Sequence, residues 1–214
     1  MMTTPGAESL LERALADAVD GIDEHDEITT RVLDGAYDQF CRMGIRRSSM
    51  EDVARQAGVS RITVYRRFTT KEELVKQVVQ REFRRYFDQF LIDIRHAETT
   101  ADRVVIGFAS ALRAIRGNPL VGGMLTAEPD VMLPSMVSDN GSTLAAVQKF
   151  VAGQLRSEQR AGNISGDVDV ELAAEMMARV SASFLVIPSR VVDLDDDEQV
   201  RAVARKYLVP MIEG

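Results

Sequence analysis

The sequence predicts an all-α fold, and three observations predict it. No stretch alternates apolar and polar residues with the period of a half-buried strand. Apolar residues recur instead every three to five positions, as they do from 71 to 96 in a run free of Gly and Pro. Residues that cap helix starts are followed three positions later by a carboxylate at Ser49 and Asp52, Thr70 and Glu73, and Thr99 and Asp102.

Taken in order, residues 1–26 are an acidic leader whose Leu10, Leu11, Leu15 and Val19 are spaced like a short amphipathic helix. Residues 27–43 form the first full helix, with Ile28, Val32, Ala36, Phe40 and Met43 on one stripe, and Gly44 stops it. Ser49 opens a second helix and Gly58 ends it where a residue tolerant of positive φ is needed. Ser60 caps a short third helix, and Thr70 with Glu73 makes a regular capping box for the fourth. At 1.5 Å per residue the fourth helix, residues 71–96, is roughly 39 Å long. Helices follow from Thr99 to the break at 117–119, over 120–127, 130–137 and 142–160, and over 167–187 and 195–211.

Length and composition bound the function. At 214 residues, 45% of them hydrophobic, the chain fits one or two modest domains with ample core. No apolar run approaches the ~20 residues of a membrane span, and the acidic start has no signal-peptide pattern. A soluble, cytoplasmic protein with no membrane partner is the expectation. The single Cys41 excludes an internal disulfide framework and reads as a small apolar residue. There is no metal-spaced Cys/His cluster, and the two histidines, His25 and His96, lie outside the expected pocket. Neither a metal nor a cofactor nor an enzymatic role is expected. The net charge of −7 divides unevenly: −6 over residues 1–26, +4 over 27–96 and −5 over 97–214. The basic middle suits a polyanion, while acidic flanks repel one from other surfaces.

Within that basic middle, Val53, Ala54, Ala57, Val59, Val64 and Phe68 can close a small core and leave Arg61, Thr63, Tyr65, Arg66 and Arg67 facing away. A short helix presenting guanidinium, hydroxyl and phenol groups after a tight turn is a helix-turn-helix reading head. Arginine bonds bidentately to guanine edges, and hydroxyls and backbone N–H groups bind phosphate. Residues 36–74, AYDQFCRMGIRRSSMEDVARQAGVSRITVYRRFTTKEEL, resemble the DNA-binding domain of the tetracycline-repressor (TetR) family of bacterial regulators. The likeness rests on Phe40 and Gly44, Ser49-Met50, Val53-Ala54, Gly58-Val59-Ser60, Thr63-Val64-Tyr65, Phe68 and Lys71-Glu72-Glu73-Leu74. Ile62 departs from the family, which usually carries Gly, Ala or Pro there, and no base preference carries over. The resemblance implies DNA contacts from Ser49, Ser60, Arg61, Ile62, Thr63, Tyr65, Arg66, Arg67 and Lys71, within a DNA-binding domain of residues 27–72.

For residues 73–214 the resemblance implies an effector-binding and dimerisation domain. Methionines among apolar residues suit an adaptable cavity, although a plain helical core explains any one of them as well. The candidate ligand-binding residues are Phe108, Leu112, Ile115, Met124, Leu125, Phe150, Met176, Val180 and Phe184. Arg113, Arg116 and Arg179 are candidate anchors for an anionic ligand group. The last two helices are apolar on two sides and so require two partners. Ala173, Ala174, Met177, Ser181, Leu185, Val203 and Tyr207 are the candidate contacts with a second copy across a twofold axis. The expectation is a dimeric regulator that binds double-stranded, palindromic operator DNA, a repressor released by an apolar or amphipathic small molecule. A ligand-independent or activating DNA binder is the alternative.

Overall fold

The computed structural model describes residues 26–127 and 142–213. Every regular element among them is helical: α1 (Glu27–Met43), α2 (Met50–Ala57), α3 (Arg61–Arg67), α4 (Lys71–Arg95), α5 (Thr100–Gly117), α6 (Pro119–Ala127), α7 (Ser142–Arg160), α8 (Val170–Val186), α9 (Asp197–Val203) and α10 (Pro210–Glu213). A π-helical stretch, Ala204–Leu208, joins the last two. The expected leader helix, the segment 130–137 and His25 lie outside the described residues. None of the described helices is long and apolar enough to cross a membrane.

The described residues fall into two compact units. The first contains α1–α3, α4 as far as Arg85, and α6. Its core is built from Val32, Leu33, Ala36 and Phe40 of α1, Val53 and Ala57 of α2, Val64, Phe68, and Leu74 and Val78 of α4. The stripe expected on α1 holds in its middle, but Ile28 and Met43 at its ends are exposed and Leu33 takes a core place. The reason is the 3.6-residue period, which carries a stripe off the buried face over four turns. Helix α1 meets α2 at Gly35, where a Cβ would stand 2.7 Å from the Ala57 backbone nitrogen.

One carboxylate sits in this unit with almost no solvent. Glu82 accepts from Arg85 Nη1 and from Asn118 Nδ2, each at 3.0 Å. The other end of the Asn118 amide, Oδ1, accepts from Leu120 N and Val121 N at 2.9 Å and so caps α6. A buried charge needs partners at both oxygens, and here one of those partners also starts a helix.

The second unit contains α4 from Tyr86, α5 and α7–α10. Val105, Phe108, Leu112, Leu155, Ala174, Met177, Val200, Ala204, Leu208 and Ile212 form its core. Arg103 pairs with Glu158, which also accepts from Thr100 Oγ1 at 3.2 Å and ties α5 to α7. The C-terminal segment is expected as one helix over 195–211. It starts at Asp197, capped by Asp196, and widens at 204–208. Pro210 explains the widening: proline has no N–H to donate and its ring collides with the carbonyl one turn back. The Val209 N–H reaches five residues back to Ala204 O at 3.0 Å, and the π turn makes room for the ring.

Candidate DNA interface and effector core

The turn between α2 and α3 is fixed by backbone and caps together. Ser49 and Asp52 make the reciprocal capping box at the start of α2, with Asp52 N to Ser49 Oγ at 3.2 Å and Ser49 N to Asp52 Oδ2 at 3.1 Å. At the end of α2, Gly58 adopts φ 63°, and the Val59 N–H reaches back to Ala54 O at 3.0 Å. Ser60 Oγ accepts from Thr63 N at 3.1 Å and shares a hydrogen bond with Thr63 Oγ1 at 2.8 Å, which starts α3. The box expected at Thr70 and Glu73 is only half made. Thr70 Oγ1 accepts from Glu73 N, but the Glu73 carboxylate accepts from Gln77 Nε2 at 3.1 Å, one turn on.

One arginine braces this turn and a second ties the far end of α3 to α1. Arg31 of α1 donates through Nη2 to Ala57 O and Gly58 O, both at 3.1 Å, where α2 leaves carbonyls without helical partners. Arg67, at the end of α3, pairs with Asp26, the N-cap of α1, and donates to Thr29 Oγ1 at 3.2 Å. Arg31 and Asp26 were not singled out as site residues. Their partners are 26 and 41 residues away, beyond the reach of any local pattern. Arg31→Met is expected to keep the fold, lower its melting temperature and cut DNA binding by about tenfold, since hydrogen bonds to charged groups contribute about 1.5–3 kcal/mol at most. A melting curve and a DNA titration on the same sample check it.

The Thr29 amide first, and then Arg67, hold the Asp26 carboxyl below its ordinary value of 3.8; the Ser49 hydroxyl and amide do the same for Asp52. A depressed carboxylate contributes stability that is fully present above its unfolded pKa and is lost as pH falls through its folded pKa. The starts of α1 and α2, and the tie between α1 and α3, should therefore loosen below about pH 4. Asp26→Asn keeps a capping side chain but does not titrate. Its melting temperature should fall less than the wild type's between about pH 6 and pH 3, as followed by far-ultraviolet circular dichroism.

Val64 is turned into the core, as expected, and five of the candidate DNA contacts, Arg61, Ile62, Tyr65, Arg66 and Arg67, stand exposed on the outer side of α3. Ile62 is 73% exposed and Tyr65 41%. Arg61 Nη1 lies 2.7 Å from Glu51 Oε1, and its guanidinium sits 5.2 Å above the Tyr65 ring centroid. Arg66 is exposed and makes no ion pair among the described residues. Arg67, although exposed, is occupied by Asp26, and Ser49 and Thr63 by their caps. Lys71 Nζ donates to Arg46 O at 3.3 Å. Arg47, also in that loop, donates to Met43 O at 2.9 Å and closes α1.

In the second unit, the candidate effector residues separate. Phe108 and Phe184 meet edge to face at 6.0 Å, with Leu112 buried and Val180 packed on the same cluster; Ile115 is half-buried on α5. Phe150 belongs to another aromatic group, 4.4 Å from Phe87 and 5.5 Å from Phe90. Met176 is 41% exposed and belongs to neither group. The side chains of Met124 and Leu125 lie outside the described residues. The three candidate anchors all have acidic partners: Arg113 with Asp197, Arg116 with Asp195 and Arg179 with Glu175, at 3.0, 3.0 and 2.7 Å.

The candidate dimer residues divide between the two sides of their helices. Ala173, Ala174 and Met177 face the chain's own core, and Leu185 and Val203 pack against it half-buried. Ser181 Oγ donates to Met177 O at 2.9 Å. The outward apolar side chains are Leu172, 55% exposed, and Met176, one turn apart on α8, with Tyr207, 56% exposed, on the C-terminal helix. A helix apolar nearly all round gives no phase signal, so the small residues could be assigned to either side. Cys41 is half-buried, and burial raises its thiol pKa against the opposing effect of the Tyr37 hydrogen bond. That favours the unreactive, packing role. Burial also pushes the Tyr37 phenol up to about 12.

Residues 32–78 match the family model described as bacterial regulatory proteins, tetR family. An uncharacterized HTH-type transcriptional regulator of Mycobacterium tuberculosis is 27% identical over 183 residues, which cover 85% of this chain and 84% of that protein. The transcriptional regulator FadR from Bacillus subtilis, solved in complex with stearoyl-CoA, superposes with a TM-score of 0.59 at 17% identity, covering 86% of this chain and 98% of the other. The TetR family repressor AlkX from Dietzia sp., implicated in biodegradation of n-alkanes, superposes with a TM-score of 0.61 at 21% identity, covering 86% and 94%. At these identities the two structures share the all-α fold.

Proposed function

We propose that this tetR-family transcriptional regulator is a dimeric repressor that binds a palindromic operator and releases it when an apolar or amphipathic small molecule enters the second unit. The observation that carries the reading is the outer face of α3, where Ile62, Tyr65 and Arg66 are exposed above a turn fixed by Ser60, Gly58 and Arg31. A rigid scaffold under exposed, chemically mixed side chains suits base-edge contact, because the ordering entropy is spent before binding.

Two copies paired through Leu172, Met176 and Tyr207 would present two α3 helices, and a palindrome calls for about 34–36 Å between them. The effector class is supported by the apolar cluster in which Phe108, Leu112, Val180 and Phe184 pack. It is also supported by the stearoyl-CoA held by FadR and the n-alkane degradation linked to AlkX. The acid-paired Arg113, Arg116 and Arg179 argue for an effector recognised mainly by its apolar part. Useful switching needs a coupling of only about 1–3 kcal/mol.

The test is footprinting of the promoter next to the gene, with and without long-chain fatty acids and their coenzyme A thioesters. Protection of a site of twofold symmetry that is lost on adding one of them supports the proposal. Protection indifferent to every such compound favours the ligand-independent alternative. No protected site anywhere, at low salt, overturns the DNA role. Arg66→Ala should weaken binding about 10- to 100-fold, the ~1–3 kcal/mol of one bidentate base contact.

A further inference from the structure

On the outer face of α3 the side chains form two ridges, each of two residues one turn apart: Arg61 with Tyr65, and Ile62 with Arg66. The first ridge is satisfied within the protein. Glu51 holds the Arg61 guanidinium at 2.7 Å, and the Tyr65 ring lies beneath it at 5.2 Å. The second ridge has no such engagement. Ile62 is 73% exposed, an apolar side chain standing in water on a seven-residue helix, and Arg66 beside it makes no ion pair among the described residues. The fold gains nothing from an isoleucine held out in this way.

Resting on the proposed DNA role, we infer that the Ile62–Arg66 ridge is the specificity-determining pair, with Ile62 packing on a thymine C5-methyl group and Arg66 bonding a guanine edge in the same half-site. The chemistry is complementary at both ends. In the major groove the thymine methyl is the apolar feature of a base pair, and guanine N7 with O6 is the acceptor pair that matches a guanidinium. One helical turn is about 5.4 Å and one base step about 3.4 Å, so the two contacts fall within about two base pairs of each other. Arg61, drawn off by Glu51, supplies charge toward phosphate and little base discrimination.

The experiment selects duplexes from a randomised library with the full-length protein, then replaces each thymine of the selected half-site by deoxyuridine and each guanine by 7-deazaguanine. The expected result is a half-site with a thymine within two base pairs of a guanine. Deoxyuridine at that thymine should weaken wild-type binding about fourfold per half-site, the effect of one buried methyl group. Ile62→Ala should bind the thymine and deoxyuridine duplexes equally, and Arg66→Ala should become indifferent to 7-deazaguanine. The inference is overturned if no thymine in a selected site responds to loss of its methyl, or if Ile62→Ala keeps the wild-type response. Failure to select any duplex removes the proposed DNA role and this inference with it. Because Ile62 is so exposed, the melting temperature of Ile62→Ala should match the wild type, which separates lost contact from lost fold.

Discussion

Leu172→Asp combined with Met176→Asp is expected to leave a folded monomer whose operator affinity is about 10²- to 10⁴-fold below that of the wild type. Both residues are exposed, at 55% and 41%, and neither belongs to the buried core, so the substitutions cost the isolated chain little. In a dimer they would stand at the centre of an interface of about 1,200–2,000 Å², where four new carboxylates, two from each copy, would face one another without partners. The loss in DNA affinity follows from geometry. One reading head then binds a half-site alone, and the second contact no longer benefits from being intramolecular. Sedimentation velocity reads the oligomeric state, circular dichroism the fold, and a titration of operator DNA the affinity. Ala174→Asp is the contrasting variant: Ala174 is fully buried in the chain's own core, so it should unfold the second unit before affecting assembly. A folded monomer from Ala174→Asp and an intact dimer from the double variant would restore the orientation expected from sequence.

These two variants also mark what the sequence could and could not say. Helix limits were legible wherever a local device sets them: Ser49 with Asp52, Gly58 at positive φ, Ser60 with Thr63, and Gly44 after α1. The exposed side of α3 was legible for the same reason, because Val64 and Phe68 alone supply its apolar anchor. The orientation of α8 was not, since Leu172, Ala173, Met176 and Met177 are all apolar, and the identical Met176 and Met177 fall on opposite sides. Arg67 reads identically to Arg66 in sequence, and only the fold brings Asp26 to one of them. The widening at 204–208 did have a signal in Pro210, two residues beyond the stretch it distorts. Local rules find helices and caps, whereas the allocation of arginines between structure and DNA is a tertiary property.

Gly35→Val should be the most damaging single substitution in the reading head. Two effects oppose each other. Removing a glycine from the middle of a helix is favourable on propensity grounds by up to about 1 kcal/mol, and less for a β-branched replacement. Against that, any Cβ at 35 would lie 2.7 Å from Ala57 N, 2.8 Å from its Cβ and 2.9 Å from its Cα. Two of those three atoms belong to the backbone of α2 at the turn, which cannot rotate away as a side chain can, so α1 and α2 must separate. Overpacking of this kind costs about 1–3 kcal/mol and sometimes more, and the two γ-methyl groups of valine add to it. Steric cost outweighs propensity, and the net loss should be about 2–3 kcal/mol, or roughly 4–12 °C in melting temperature for a chain of this size. The separation would also pull Ala57 O and Gly58 O from Arg31, so DNA binding should fall further than stability alone requires. Gly153→Ala, in α7 with open space where its Cβ would point, isolates the propensity effect and should raise the melting temperature by a few degrees. Equal melting temperatures for Gly35→Val and the wild type would mean that α1 and α2 make no such close approach at Gly35.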